Sequence, residues 1–489
     1  MRPVWRVADI RAAEAALMAT VPPGTLMHRA AAGLARRCAL LLAGRGGVYA
    51  APVLLLVGSG DNGGDALYAG ARLARRGAAV SALLLRPQRV HAEGLAALRS
   101  AGGRIVDRPP ALLDLVLDGI VGIGGHGGLR DSAEQLAASL STHRGRDGTR
   151  ATVVAVDVPS GVAVDTGAVP VTGSGRANAV RADVTVAFGA LKPALAVGPA
   201  AALAGQVELV DIGLTAWLRA SPALHVVERS DVADWWPTLA AVAEKYSRGV
   251  VGVATGSATY PGAAVLSVGG ALAGPTGLVR YAGSARDEVL RDHPSVIATG
   301  RVADAGRVQA WVCGSGLGTG QQAAAELRAV LAAPVPVVLD ADALTLLVDG
   351  SLADQLRRRD APIVVTPHDR EFARLCGEEP GADRVAAALR LAAWMNAVVL
   401  LKGDRTVIGT PDGRAYVNPT GTPALATGGT GDVLAGLLGS LLAAGLPAER
   451  AASVAAYLHG LAGRAAARSG PVTAPDVVAA LRPVLAGLT

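Results

Sequence analysis

The sequence predicts an α/β protein built from two doubly wound domains. Three observations carry the prediction. The chain has 489 residues, more than one ordinary hydrophobic core organises. Short, continuously apolar runs alternate with helical patterns, as expected of parallel strands buried on both faces. Glycine-rich turns follow several of those runs directly, where open α/β sheets place their ligands.

In the first half, Val53–Val57, Val80–Leu85, Thr152–Val158 and Asp183–Phe188 read as buried strands. The run ALYAGARLARRG reads as a helix with Gly77 as its C-cap. The segment ELVDIGLTAWLRASPALHVVERSDVADWWPTLA then breaks the series, and Trp235 and Trp236 are expected to pack at the break. This gives a first domain over 1–213, a junction over 214–240 and a second domain over 241–489. The second half resumes the alternation without repeating the sequence. VVGVATGS, VQAWVCGSG, VPVVLDADAL, APIVVTPHDREF and AVVLLKGDRTVIG are strand-and-turn units, and GTGDVLAGLLGSLLAAG is a helix entered through glycines.

Composition narrows the function classes. Apolar residues make up 51% and charged residues 18%, a balance for buried cores and against disorder. Aromatics are only 3%, so the cores rest on Ala, Val and Leu. A net charge of +6 without a Lys or Arg block argues against a nucleic-acid partner. Cys38, Cys313 and Cys376 form no C-x-x-C pair, which fits a reducing compartment and gives no zinc signature. The N-terminal stretch carries Asp9 and Glu14 and lacks the apolar core of a signal peptide. Gly, Pro, Ser and Thr interrupt the uncharged segment from Gly249 to Val279, so it does not read as a membrane span. The expectation is a cytoplasmic homo-oligomer with no membrane partner.

The stretch LLLVGSGDNGGDALYAG has the G-x-G-x-x-G spacing of a dinucleotide turn at Gly58, Gly60 and Gly63. Asp61 and Asp65 would repel a pyrophosphate there, and the next strand ends at Arg86 instead of the acid that holds a ribose. A different reading fits better. Asn62 and Asp65 offer oxygens to a hard cation or to ligand hydroxyls. Asp118 precedes a second glycine loop, and Asp157 and Ser160 lie in VDVPSG. Each alone also reads as a cap or turn residue. Together, at strand ends, they could converge on one crevice.

These stretches, GSGDNGGDALYAGARLARRG, DGIVGIGGHGG, AVDVPSGV and FGALKPA, resemble the epimerase domain of NAD(P)HX repair enzymes over roughly residues 1–213. The resemblance implies a Rossmann-like three-layer sandwich that epimerises the hydrated cofactors NADHX and NADPHX at C6. It implies a potassium ion held by Asn62, Asp118 and Ser160. It implies substrate contacts from Asp61, Asn62, Gly63, Gly64 and Asp65, from Gly122, Ile123, Gly124, Gly125, His126, Gly127 and Gly128, and from Asp157. Asp65 or Asp157 could act as acid/base, and Asp157 is the expected catalytic residue. Lys192 is either a structural lysine or a ligand contact. The family often has Asn at Asp61 and Gly at Ala66; neither difference removes a main-chain donor.

The most specific motif is ALATGGTGDVLAGLLG, Ala424 to Gly439. Gly428, Gly429 and Gly431 let the backbone approach an anion, and a helix starting near Asp432 aims its dipole at the same point. Asp432 is placed to take a proton from an attacking hydroxyl. GGTGD resembles the G-x-G-D signature of ribokinase-like kinases. With TPHDREFARL, LLKGDRTVIGT, VCGSGLGTG and YPGAAVLSVGGALAGPTGLVR, the chain resembles the ADP/ATP-dependent NAD(P)HX dehydratase domain over roughly residues 240–489. The resemblance implies a ribokinase-like α/β/α domain. Ala263, Gly316, His368 and Asp432 would contact the hydrated cofactor. Lys402, Gly403, Asp404, Arg405 and Thr406 would form the adenine-nucleotide loop, with Gly431 on the phosphate side. Nothing is assigned to Glu244, where the family often reads H-K-G. The implied chemistry is phosphoryl transfer from ADP to the ring hydroxyl, with Mg2+ on the nucleotide and Asp432 as catalytic base, then loss of phosphate. The alternative is a kinase of a vitamin-like alcohol fused to a non-catalytic nucleotide-sensing domain.

Overall fold

The computed structural model describes residues 1–125, 127–130, 132–238, 244–348 and 350–488. The chain forms two compact units, Pro3–Ala223 and Leu224–Thr489, with Met1–Arg2 counted in the second. The division falls after Ala223. Residues from Leu224 onward are part of the C-terminal unit because Leu224 and Val226 lie in a buried strand and Val232 in a helix of its core. Trp235 and Trp236 pack against that same core, with the Arg450 guanidinium 5.5 Å from the centre of the Trp235 ring. The short strand β1 (Arg2–Val4) opens the chain.

The N-terminal unit holds β2 (Pro52–Val57), β3 (Ala79–Leu84), β4 (Arg104–Val106), β5 (Leu115–Gly119), β6 (Thr152–Val156), β7 (Val184–Phe188) and β8 (Gln206–Val210). They form a seven-stranded sheet in the order β4-β3-β2-β5-β6-β7-β8. Every pairing is parallel. Apolar residues alternate between its two faces: Val53, Leu55 and Val57 enter one core, Leu54 and Leu56 the other. A run that is apolar at every position is therefore what two covered faces require. The strand expected to reach Val158 stops at Val156, because Asp157 adopts φ +67° and turns out of the sheet.

The strand order reverses between β2 and β5, so the loops leaving their carboxyl ends part and open a crevice. The two loops touch at its base. A Cβ on Gly58 would lie 1.8 Å from the carbonyl oxygen of Ile120, so only glycine fits there.

The C-terminal unit holds β9 (Leu224–Val226), β10 (Val250–Ala254), β11 (Leu278–Ala282), β12 (Ile297–Thr299), β13 (Ala310–Cys313), β14 (Val337–Leu339), β15 (Ile363–Val365), β16 (Val398–Leu401), β17 (Val407–Gly409) and β18 (Ala415–Val417). Their order is β9-β18-β17-β16-β15-β14-β13-β10-β11-β12. Pairing is parallel from β12 to β16, and β16, β17 and β18 form an antiparallel meander. Here the order reverses between β10 and β13. The small residues of the helix Pro261–Ala273 face mainly the helix Thr430–Ala443: a Cβ on Gly270 would sit 2.1 Å from the Val433 carbonyl oxygen. Most of that glycine stripe therefore packs helix on helix instead of approaching a ligand.

Candidate active sites

In the N-terminal crevice, the helix Asp61–Arg75 begins directly after the β2 turn and presents Asp61 to solvent and Asn62 and Asp65 to the interior. Asp118 closes β5 and is fully buried. Its carboxylate accepts from the Ser160 main-chain N–H at 2.8 Å, from the Ser160 hydroxyl at 2.6 Å and from the Ile120 N–H at 3.4 Å. The Ser160 hydroxyl oxygen also accepts from the Val121 N–H at 3.0 Å. Asn62 lies against the loop that follows, since a Cβ on Gly122 would fall 2.9 Å from its Oδ1. Burial moves the Asp118 carboxyl up to about 6, against the pull of its hydrogen bonds. The Asn62 Nδ2 is buried with no partner among the described residues.

This donor set has one carboxylate and several neutral oxygens. Among the described residues no group of three or more His, Cys, Asp or Glu could hold a metal ion. A site of that composition suits a weakly charged alkali cation better than a transition metal.

Asp157, 7% exposed, sits across the crevice at the end of β6. Its Oδ1 accepts from the Phe188 N–H at 3.0 Å and forms a short ion pair with Lys192. The Lys192 ammonium also donates to the Phe188 carbonyl at 2.9 Å, and its side chain is 1% exposed. Lys192 is thus committed within the fold, to Asp157. Asp65 differs: its Oδ1 is buried and has no partner among the described residues. Burial above all, then the Asp157, Asp61 and Glu14 charges, holds its carboxyl well above the usual carboxylate range, with Lys192 pulling the other way. The loop from Gly122 to Gly128 is partly open to solvent and is pinned by the Gly128 N–H on the Gly161 carbonyl at 2.7 Å. His126 lies outside the described residues.

The second crevice is centred on Asp432, in the first turn of the helix Thr430–Ala443. Gly429 caps that helix at φ +87°, a left-handed turn that glycine enters without strain. A Cβ on Gly428 would meet nothing within 4 Å, so the glycine turn stands open. Beneath it lies a pair the sequence reading did not single out. Asp340, at the end of β14, accepts from the Lys402 ammonium at 2.7 Å, from the Thr366 hydroxyl at 2.8 Å and from the Ser315 hydroxyl at 3.2 Å. The Lys402 ammonium also lies 3.5 Å from Glu371. A Cβ on Gly431 would be 3.7 Å from both the Asp340 carboxylate and the Lys402 ammonium, so the pair faces the glycine turn.

Electrostatics follow from this layout. Burial, then the Asp340 charge, pushes the Asp432 carboxyl up to about 7, while a hydrogen bond from Ser315 and the Lys402 charge pull it down. Burial alone would lower the Lys402 ammonium, but Asp340 and Glu371 more than offset it, so it stays charged.

The remaining expected residues fall around this centre in two ways. Ala263 and Gly316 meet: a Cβ on Gly316 would lie 2.8 Å from the Ala263 Cβ and 3.0 Å from the Tyr260 Cβ. His368 caps the helix Asp369–Cys376, its Nδ1 accepting from the Arg370 and Glu371 N–H groups at 3.1 and 3.2 Å while Glu371 accepts from the His368 N–H at 2.9 Å. Because Nδ1 accepts, the ring proton is on Nε2, on an imidazole 46% exposed. The loop after Lys402 is fastened by Arg384 to the Lys402 carbonyl at 2.7 Å and by Arg405 to the Pro419 carbonyl at 3.0 Å. Gly403 and Asp404 are exposed, and Thr406 is buried.

Comparison with known proteins decides the family. Residues 251–482 match the family described as NAD(P)H-hydrate dehydratase, and residues 23–194 match the YjeF-related protein N-terminus. A bifunctional NAD(P)H-hydrate repair enzyme of Mycobacterium leprae is 49% identical over 497 residues, covering 100% of each chain. The chain belongs to the bifunctional NAD(P)H-hydrate repair enzymes. The repair enzyme of Mycobacterium tuberculosis is 50% identical over 454 residues, covering 93% of this chain and 92% of that one. A solved ribokinase-like superfamily protein of Enterococcus faecalis is 25% identical, with a TM-score of 0.50, over 55% of this chain and 97% of that one. The C-terminal unit thus has the ribokinase-like fold.

Within this repair-enzyme chain, the structure joins Asp118 to Ser160, sets Asn62 against Gly122, and brings the Asp157 and Lys192 charges to bear on Asp65. In the second unit it gathers Asp432, Gly431 and Lys402. Asp340, Ser315 and Thr366 were missed as site residues. Asp340 carried a legible signal, an aspartate ending the apolar strand run VPVVLD. Ser315 and Thr366 carried none, because hydroxyls at strand ends are common turn residues.

Proposed function

We propose that this chain restores hydrated nicotinamide cofactors. The N-terminal unit interconverts the R and S epimers of NADHX and NADPHX. The C-terminal unit dehydrates the S epimer to NADH or NADPH, converting ADP to AMP and phosphate. The observation that carries the reading is Asp432, a half-buried carboxyl beside an open glycine turn and a Lys402–Asp340 pair, in a chain of this family.

In the C-terminal unit, Asp432 accepts the proton of the ring hydroxyl as it attacks the terminal phosphorus of ADP. A base that titrates near 7 is suited to that task at neutral pH. The Gly428–Gly431 backbone and the dipole of the following helix stabilise charge on the transferring group. Lys402 adds a fixed positive charge beneath it. Ala263 and Gly316 form a small-residue floor for the hydrated ring, and the half-exposed His368, its Nε2 3.5 Å from the Glu371 carboxylate, contacts the substrate beside it. Phosphate then leaves as the ring nitrogen lone pair forms the N1=C6 bond, and loss of a C5 proton to solvent returns those electrons as the C5=C6 bond of the dihydronicotinamide. Lys402, Gly403, Asp404, Arg405 and Thr406 hold the nucleotide. Mg2+ would ride chiefly on the nucleotide phosphates, where it supplies charge neutralisation.

In the N-terminal unit, Asn62, Asp118 and Ser160 would hold potassium, which supplies a local positive charge and orders the Gly122 loop. The Asp61–Asp65 turn, the Gly122–Gly128 loop and Asp157 line the substrate. The enzyme acts in the cytoplasm as a homo-oligomer.

The test is recovery of dihydronicotinamide absorbance from mixed R and S NADHX with ADP, Mg2+ and K+. Complete recovery faster than spontaneous epimerisation is expected. Recovery that stops at the S fraction would remove the epimerase activity. A stable phosphorylated product in place of free phosphate would replace the dehydratase with an alcohol kinase.

A further inference from the structure

We infer that Asp65, not Asp157, is the acid that hands a proton to the C6 hydroxyl in the N-terminal crevice, and that the Asp157–Lys192 pair is its fixed charge frame. The inference rests on the epimerase reading of that unit. Three observations support it. Asp157 is occupied: its Oδ1 accepts from both Lys192 and the Phe188 N–H, and Lys192 is held in turn by the Phe188 carbonyl. Both donors on that oxygen come from the fold itself, so it offers no open site to a ligand. Asp65 is only 9% exposed, and its Oδ1 has no partner among the described residues. An oxygen left unsatisfied in the interior is costly unless a ligand or a proton completes it. Finally, the groups facing Asp65 come from every side of the crevice: Asp61 on its own helix, Glu14 from the helix Val7–Met18, and Asp157 and Lys192 from the β6 and β7 ends. Three carboxylates against one ammonium favour a protonated neighbour. Glu14 is itself held above the usual carboxylate range, by burial first.

Asp65 gives its proton to the C6 hydroxyl oxygen. The C6–O bond breaks and water leaves, while the N1 lone pair forms the N1=C6 bond of a planar iminium. A second water adds to the opposite face of C6, the π electrons return to N1, and the water's extra proton passes to solvent. Solvent reprotonates Asp65. Nothing is oxidised or reduced, and the configuration at C6 is inverted.

The full-length chain without ADP tests this, because dehydration then cannot drain the S epimer. Conversion of R to S NADHX is followed chromatographically for the parent, Asp65→Asn and Asp157→Asn across pH. Asp65→Asn is expected to lower kcat by about 10²–10⁴-fold with KM within a few-fold, and to lack the alkaline decline of rate expected of the parent. Asp157→Asn is expected to retain that decline. Turnover in H2(18)O should place one solvent oxygen at C6 per inversion. An Asp65→Asn protein that keeps the parent rate and pH profile overturns the inference, as does an Asp157→Asn protein that alone loses the alkaline limb. A parent chain with no conversion above the uncatalysed rate removes the epimerase reading itself, a result distinct from either. Folding of each variant is checked by the thermal transition of the N-terminal unit, with the dehydratase rate on S NADHX and ADP as an internal control.

Discussion

Asp432→Asn is expected to abolish dehydration and, at the same time, to stabilise the C-terminal unit by an amount that grows with pH. The carboxyl has an ordinary value of 3.8, while burial and the Asp340 charge move it to about 7 in the folded unit. Below the lower value both states carry the proton. Between the two values the unfolded chain has released it and the folded unit has not, so stability falls as pH rises until the folded carboxyl ionises. The separation between 3.8 and about 7 amounts to roughly 4 kcal/mol at full ionisation. Asparagine cannot ionise, so it escapes this cost. The stability advantage of the variant over the parent should widen by about 3 kcal/mol between about pH 5 and about pH 8. Calorimetric unfolding of the full chain without nucleotide, following the C-terminal transition at both pH values, measures it. A gap that stays constant with pH, or narrows, would refute the elevated carboxyl and with it the argument that Asp432 is a base poised at neutrality.

The same carboxyl predicts that the single-turnover dehydration rate rises about tenfold between about pH 6 and about pH 8, with a midpoint near 7; a flat profile would assign the base elsewhere. Asp340→Asn leaves Lys402 with Glu371 at 3.5 Å as its remaining carboxylate and removes the second cause of the high Asp432 value. It should destabilise the unit by about 3 kcal/mol and move the rate midpoint to lower pH, both read from unfolding and pH–rate curves. Gly58→Ala would place a Cβ 1.8 Å from the Ile120 carbonyl oxygen, so the two loops of the first crevice must separate. A loss of about 1–3 kcal/mol in the N-terminal transition is expected, with the C-terminal transition unmoved. His368→Ala removes a helix cap as well as an exposed imidazole, so a stability loss of about 1 kcal/mol should accompany a raised KM; His368→Asn, which keeps a capping oxygen, should raise KM without that loss.

Much of this protein was legible in order of residues alone. Runs apolar at every position required strands covered on both faces, and glycines at fixed offsets after them required turns where backbone approaches backbone or ligand. Those constraints are local, and motif spacing carried them: Gly58, Asp118, the Gly428–Gly431 turn and Asp432 all stand at the strand or helix ends that the patterns mark. Tertiary structure decided which charges meet. Lys402 lies 62 residues from Asp340, and Lys192 lies 35 from Asp157. No local pattern records such pairs, because they exist only where parallel strands bring distant carboxyl ends side by side. The same long-range packing buried Asp65 with an unsatisfied oxygen and tied Asp157 to an ammonium. It turned His368 into a cap and spent most of the glycine stripe after Ala263 on a helix contact. A residue's type states what chemistry it can do. Burial and partners, set by the whole fold, state whether its proton is available.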